Sequence, residues 1–351
     1  MLGVVRLVVR FFDEKIGWSR IGFALSVTII AVAVVALYRM LHNIDVGQVI
    51  VALKAVRFQE VVLAFLCVAG GYFTLTFYDL FALRTIGRRE VPYRTAALAG
   101  FTSYSIGHNV GATVFTGGAV RYRIYSGWGL SAIDVARICF VAGLTFWLGN
   151  VTVLGIGITI HPEAAGAINQ LGAGVNRALG IGLLAVLAGY LAWVFTAPRE
   201  IGRGGWTVTL PNGPTTLLQI VIGIFDLMFC ALAMYMLVPA EPHIDFITLA
   251  VIFVTATLLG FASHAPGGLG VFDAAMLVAL WQYDKEQLLA GLLLFRLLYY
   301  LVPFALAVTI IGIREIWLSL KGTRPKIELH PVATVTKPIS TELEGNGSNA
   351  K

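Results

Sequence analysis

Arg296 is the single charge in LLLFRLLYYLVPF, residues 292–304. A guanidinium at bilayer depth costs roughly 2.5–3.5 kcal/mol on insertion scales, so it faces a cavity or a partner. Two roles fit. Its planar fork of N–H donors suits a phosphate, and it equally suits a structural ion pair with Asp226, in IGIFDLMFC, or with Asp273, which closes PGGLGVFD. Asp226 is either a coupling or pairing carboxylate or a hydrogen-bond partner between helices. Asp79 lies near a span end beside Arg84 and reads as a solvated interfacial acid. His108 and His264 stand in polar, glycine-rich breaks, where an imidazole exchanges protons, touches a head group, or rests neutral on an opened backbone carbonyl. Arg121 and Arg123, in TGGAVRYRIY, would gather anionic groups at a cytoplasmic-side opening, or are ordinary positive flanks of a span. Gly117, Gly118, Gly267, Gly268 and Gly270 allow the close approach and unusual dihedrals of a hairpin tip. Pro266 removes a backbone donor and so opens carbonyls toward a cavity.

These residues sit in an apolar chain. Of its 351 residues 58% are hydrophobic and 13% charged, with a mean hydropathy of +0.83; soluble proteins carry about 25% charged residues. The chain is therefore an integral membrane protein. Apolar stretches long enough to cross about 30 Å of hydrocarbon cover residues 21–38, 61–78, 138–160, 178–198 and 246–263, and, with one charge each, 215–240 and 287–313. Arg39 directly follows the first, which favours an uncleaved span over a removed signal peptide. Cys67, Cys139 and Cys230 stand alone in apolar runs, so neither a disulfide framework nor a metal site is expected. No GxxxxGK[ST], HExxH or paired-cysteine motif is present, and no cofactor, catalytic residue or ATP site is expected. The positive charge flanks spans and so reads as an orientation signal; nucleic acid is not an expected partner.

With a cytoplasmic N-terminus, most loop Lys and Arg fall on one side, and only Arg39, Lys54, Arg57, Arg177 and Lys285 on the other. The arginine-rich loops at 84–94 and 121–137 then share a face. The stretch between them, two uncharged pieces broken at His108, must enter and leave by that face as a re-entrant hairpin. Gly267-Gly268 follows Gly117-Gly118 by 150 residues, and the flanking spans repeat at similar spacing. The expected fold is an all-α integral membrane protein of two inverted-topology repeats, residues 21–160 and 178–313, each with three spanning helices plus a re-entrant helical hairpin, a plan shared with many transporters. Residues 1–20 read as a cytoplasmic amphipathic N-terminus and 321–351 as a disordered cytoplasmic tail with no second soluble domain. Whether 246–263 spans or joins the second hairpin stays open.

PGGLGVFD, LLFRLLYYLVP at 293–303 and TGGAVRYRIY at 116–125 together resemble the membrane region of the lysylphosphatidylglycerol synthases, the multiple peptide resistance factor family, and the small stand-alone proteins related to it. The resemblance runs from about residue 20 to residue 320. It implies a module that moves aminoacylated phosphatidylglycerol between leaflets of a bacterial membrane. Two departures stand out. The family's block commonly ends in Glu where this chain has Asp273. The large members also continue into a soluble aminoacyl transferase domain, so this chain is not expected to make the lipid itself.

The expectation is a lipid transporter of flippase type in the bacterial inner membrane, with both termini cytoplasmic and Arg296, Asp273, His264, Arg121, Arg123, Asp226 and His108 around the substrate. Membrane phospholipids are its expected partners. Two rival readings stay open: a membrane-embedded lipid transferase using His264 and Asp273 as a base pair, and a non-transporting partner of a separate lipid synthase in a glycolipid, polyprenyl or hopanoid pathway. Assembly as a homo-oligomer is compatible with each.

Overall fold

A computed structural model describes residues 51, 54, 56–111, 113–203, 206–262 and 266–320. The expected amphipathic N-terminus and first span, His264 and the expected tail lie outside the described residues.

Long apolar runs close every backbone hydrogen bond internally, the only open-chain solution in hydrocarbon. Five described helical segments are long and apolar enough to cross a membrane. They are α1 (Phe58–Thr85), α4 (Ala132–Ile160), α6 (Ala173–Thr196), α7 (Gly213–Leu237), and a continuous stretch formed by α10 (Lys285–Arg296), a π-helical turn (Leu297–Leu301) and α11 (Val302–Leu320). Polar caps mark where they start. Ser131 and Asp134 form a capping box at α4, Asn212 accepts from the Thr215 N–H at α7, and Asp284 accepts from the Gln287 N–H at α10; each satisfies an orphan donor of the first turn.

Two further helix pairs are shorter. α2 (Tyr93–Val110) turns at Gly111 into α3 (Thr113–Tyr125), and α8 (Phe246–Ala262) passes through a 3-10 turn (Pro266–Gly268) into α9 (Val271–Ala279). At 1.5 Å per residue α3 is about 20 Å long and α9 about 14 Å, so neither second arm reaches across the hydrocarbon. The expected break at His108 moves to Gly111, because only a glycine there accepts φ of 84°. Gly117 and Gly118 consequently lie inside α3 and not at the tip. Gly117 retains the close-approach role: a Cβ there would lie 3.2 Å from the Ser103 carbonyl oxygen. A helix α5 (Pro162–Asn169) joins α4 to α6, and the loop between α6 and α7 holds an antiparallel pair, β1 (Glu200–Arg203) with β2 (Trp206–Thr209). That small sheet is absent from the all-α expectation.

α1 packs along α7 at the centre, α4 packs against both α6 and α7, and α2 lies between α1 and α11. With lipid as apolar as leucine, such contacts depend on close packing and small residues. Gly149 of α4 and Gly223 of α7 meet so closely that a Cβ on Gly149 would fall 2.7 Å from the Gly223 Cα. The neighbouring hydrogen bond from Gln219 Nε2 to Thr145 Oγ1, 2.8 Å, fixes the same crossing. Gly223→Val is expected to force the two backbones apart at a cost of about 1–3 kcal/mol, read as a lower midpoint in denaturant titration of the detergent-solubilised protein. An unchanged midpoint would mean that the crossing does not limit stability.

Candidate functional site

The turns of the two helix pairs meet. A Cβ on Gly111 would lie 3.6 Å from the Cα of Pro266, and Asn109 Nδ2, at the end of α2, donates to the Tyr300 carbonyl in the π turn at 3.2 Å. On the second side the chain passes through Gly267, Gly268 and Gly270 with φ of 60°, 62° and 80°. Three left-handed residues in so short a turn explain why the sequence reads PGGLG.

Arg296 sits beneath this turn. Its Nε donates to Asp273 Oδ1 at 2.9 Å, its Nη2 to Oδ2 at 2.5 Å, and its Nη1 to the Gly267 carbonyl at 3.2 Å. Asp273 Oδ2 also accepts the Gly270 N–H at 3.0 Å, so one carboxylate closes the turn and holds the guanidinium. The rings of Phe272 and Tyr300 each flank the guanidinium at 5.8 Å, a cation-π setting. The Arg296 side chain is 4% exposed and that of Asp273 is 22% exposed. The pair is therefore buried on its cationic side and open on its anionic side. Guanidinium has five N–H donors; three are used here, leaving two without a partner among the described residues. A phosphate oxygen could take those two without dismantling the bridge to Asp273.

Among the expected site residues, Pro266, Gly267, Gly268, Gly270, Asp273 and Arg296 form one constellation. His108 borders it, its ring 6.5 Å from Tyr299 and 5.6 Å from Tyr104. The other expected residues that are described lie elsewhere. Of the two acids offered as partners for Arg296, Asp273 is the one that pairs; Asp226 is buried between α1 and α7, where the Tyr78 hydroxyl donates to its Oδ2 at 3.0 Å. Arg121 does not face an opening. Its Nε lies 3.1 and 3.0 Å from the two Asp79 oxygens and its Nη2 2.7 Å from Oδ1, Tyr125 donates to Oδ2 at 2.8 Å, and the Tyr104 ring lies 4.8 Å away. Asp79, expected as a solvated acid beside Arg84, is instead wholly buried. The reason is handedness of placement on α1: the carboxyl points into the α2–α3 pair, where Arg121 neutralises it, as a buried charge requires. Arg123 donates to Glu315 of α11 at 2.5 Å, tying α3 to the end of the last helix.

Sequence reasoning missed Asn109 and Tyr104. Asn109 carried a signal, an amide in an uncharged stretch, and it is fully buried; its partner, the Tyr300 carbonyl in the π turn, left no mark in the sequence.

Helices of this length, two shortened pairs meeting turn to turn, and a half-open Arg–Asp bridge under the contact define a polytopic α-helical membrane protein with an interior polar site. No protein-family model matches the chain. An uncharacterized protein of Synechocystis, slr0712, is 29% identical over 314 residues, covering 89% of this chain and 96% of that one. The inner membrane protein YbhN of Escherichia coli is 30% identical over 234 residues, 66% of this chain and 72% of YbhN, and the chain belongs to the YbhN family. It is also similar to the phosphatidylglycerol lysyltransferase of Staphylococcus haemolyticus, 25% identical over 299 residues; these make up 82% of this chain but 33% of the lysyltransferase. The resemblance to the membrane region of that family thus holds, and the chain spans about a third of those relatives.

Proposed function

We propose that this protein carries a lipid with an anionic phosphate, of the phosphatidylglycerol type or its aminoacylated form, between the leaflets of a bacterial inner membrane. The observation that carries this reading is the half-open Arg296–Asp273 bridge beneath the meeting turns. It places a phosphate-matched cation at a contact between two helix pairs whose second arms are too short to cross. An inverted repeat follows from the same reading. α1 with α2–α3 and α7 with α8–α9 are the related units, opening to opposite faces with both termini on the cytoplasmic side, and a lipid head group passes from one turn to the other while its chains stay in the bilayer. The similarity to phosphatidylglycerol lysyltransferases and the family tie to an inner membrane protein support the lipid class and the membrane.

Purified protein in vesicles of phosphatidylglycerol and phosphatidylcholine, carrying fluorescent phosphatidylglycerol, is expected to move label between leaflets several-fold faster than protein-free vesicles. Equal rates would end the transport reading.

The relatives named as transferases favour a second reading, in which the protein modifies a lipid or positions an enzyme that does. Both Asp273 oxygens are engaged by Arg296. Lipid mass spectra of a deletion strain separate the two. A transporter leaves the lipid present in the wrong leaflet, an enzyme removes a lipid species, and a partner of a synthase co-purifies with it.

A further inference from the structure

Asp226 is 4% exposed at the crossing of α7 with α1, and no salt bridge reaches it among the described residues. Arg121 and Arg296, the buried cations among the described residues, are already committed to Asp79 and Asp273. An ionised carboxylate taken out of water without a cation costs several kcal/mol, whereas a protonated one needs only hydrogen-bond partners. Those partners are present. The Tyr78 hydroxyl donates to Oδ2 at 3.0 Å, and Thr74 Oγ1 lies 3.4 Å from Oδ1. Thr74 has one hydroxyl hydrogen, and its 2.6 Å contact with the Gly71 carbonyl consumes it, because a carbonyl can only accept. The same hydroxyl faces Oδ1 only at 3.4 Å, so Thr74 is at best a weak donor to the carboxyl. A buried carboxyl with no ion pair among the described residues and one close hydroxyl donor suits the neutral form better than the charged one.

We infer that Asp226 is a proton-binding site whose loading and release accompany lipid movement, so that a transmembrane proton gradient can drive transport; this rests on the transport reading above. On release, the O–H bond at Oδ1 breaks, the electron pair stays on the carboxylate, and the proton passes to water reaching the crossing. The carboxylate keeps Tyr78, and its long contact from Thr74 tightens when that hydroxyl turns away from Gly71. The link to Arg296 is mechanical. α1 carries Thr74 and Tyr78, and two residues before Thr74 it carries Tyr72, whose hydroxyl donates to the Tyr299 carbonyl at 3.0 Å in the π turn that directly follows Arg296. A π turn holds carbonyls that an α-helix would use, and such turns recur at functional sites.

The groups facing Asp226 are few. From α1 come Tyr78 and Tyr72, from α2 Tyr104, from the π turn Tyr299, and from α7 itself Cys230, its Sγ 4.0 Å from Oδ1. Asp79, Arg121 and His108 lie beyond Tyr104. The contacts α4, α8 and α10 make with α7 are uncharged: Thr145 on Gln219, Phe246 on Tyr235, and Gly291 on the Leu237 carbonyl.

The test compares the whole protein with Asp226→Asn, which keeps shape and neutrality but binds no proton. Vesicles with fluorescent phosphatidylglycerol and an entrapped pH dye are given a pH step. Wild type is expected to accelerate lipid movement several-fold under the gradient and to carry protons with it. The variant should keep basal movement and lose both responses. Infrared difference spectra across a pH titration should show a carboxyl C=O stretch in wild type that is absent from the variant. An identical gradient response in the variant, or no such band in wild type, overturns the inference while leaving transport intact. No lipid movement in either protein, at any pH, removes the transport reading, and the coupling falls with it even if the band is found.

Discussion

Arg121→Ala is expected to destabilise the protein by about 3–5 kcal/mol, the usual cost of removing one partner of a buried ion pair. The size follows from what remains. Asp79 is wholly buried, and without the guanidinium its carboxylate would keep only the Tyr125 hydroxyl. The variant should show a much lower midpoint in denaturant titration and poor recovery as a monodisperse species from detergent. Arg121→Lys should recover part of the loss, since a lysine keeps the charge but cannot reproduce the two-point contact with both Asp79 oxygens. The double replacement Asp79→Leu with Arg121→Met should recover most of it, because an apolar pair of similar volume avoids the desolvation cost altogether. If Arg121→Ala alone is as stable as wild type, the pair is not what joins α1 to the α2–α3 pair.

Arg296→Ala is expected to reduce transbilayer movement of phosphatidylglycerol by more than tenfold, about 1.4 kcal/mol in the barrier, and to cost stability because it cuts the ties to Asp273 and the Gly267 carbonyl. The two effects separate through Asp273→Asn. That change keeps an acceptor for the turn and leaves the guanidinium with less competition for a phosphate, so head-group affinity should rise while the turn loosens. Arg296→Lys should hold stability better than alanine and still lose most transport, since an ammonium lacks the planar fork that meets both Asp273 oxygens and presents further donors in a fixed direction. Wild-type rates in a folded Arg296→Ala protein would remove this residue from the mechanism.

Much of this was legible before folding. Hydropathy located the crossing helices within a few residues: 138–160 became the end of Ala132–Ile160, and 215–240 became Gly213–Leu237. A run that must satisfy its own backbone in hydrocarbon has one regular solution, so length and apolarity suffice. PGGLG announced a tight turn because consecutive left-handed dihedrals leave glycine as the ready choice. The charge in LLLFRLLYY announced a partner because an unpartnered one is too costly.

Which partner it took was a different kind of question. Arg296 could have met Asp226 or Asp273, and Arg121 could have faced water; the sequence separates Arg296 from Asp273 by 23 residues and Arg121 from Asp79 by 42, distances over which no helical period predicts contact. The sequence by itself determined that this is a helical membrane protein with broken, glycine-rich turns and buried charges needing neutralisation, since those follow from local solvation and backbone sterics. Only the tertiary structure decided that Asp79 goes inward to Arg121, that Asp273 closes its own turn around Arg296, and that Asp226 meets hydroxyls and a thiol with no cation among the described residues. Pairing depends on which helix faces touch, and that is set by close contacts such as Gly149 on Gly223, summed over packing no single stretch contains.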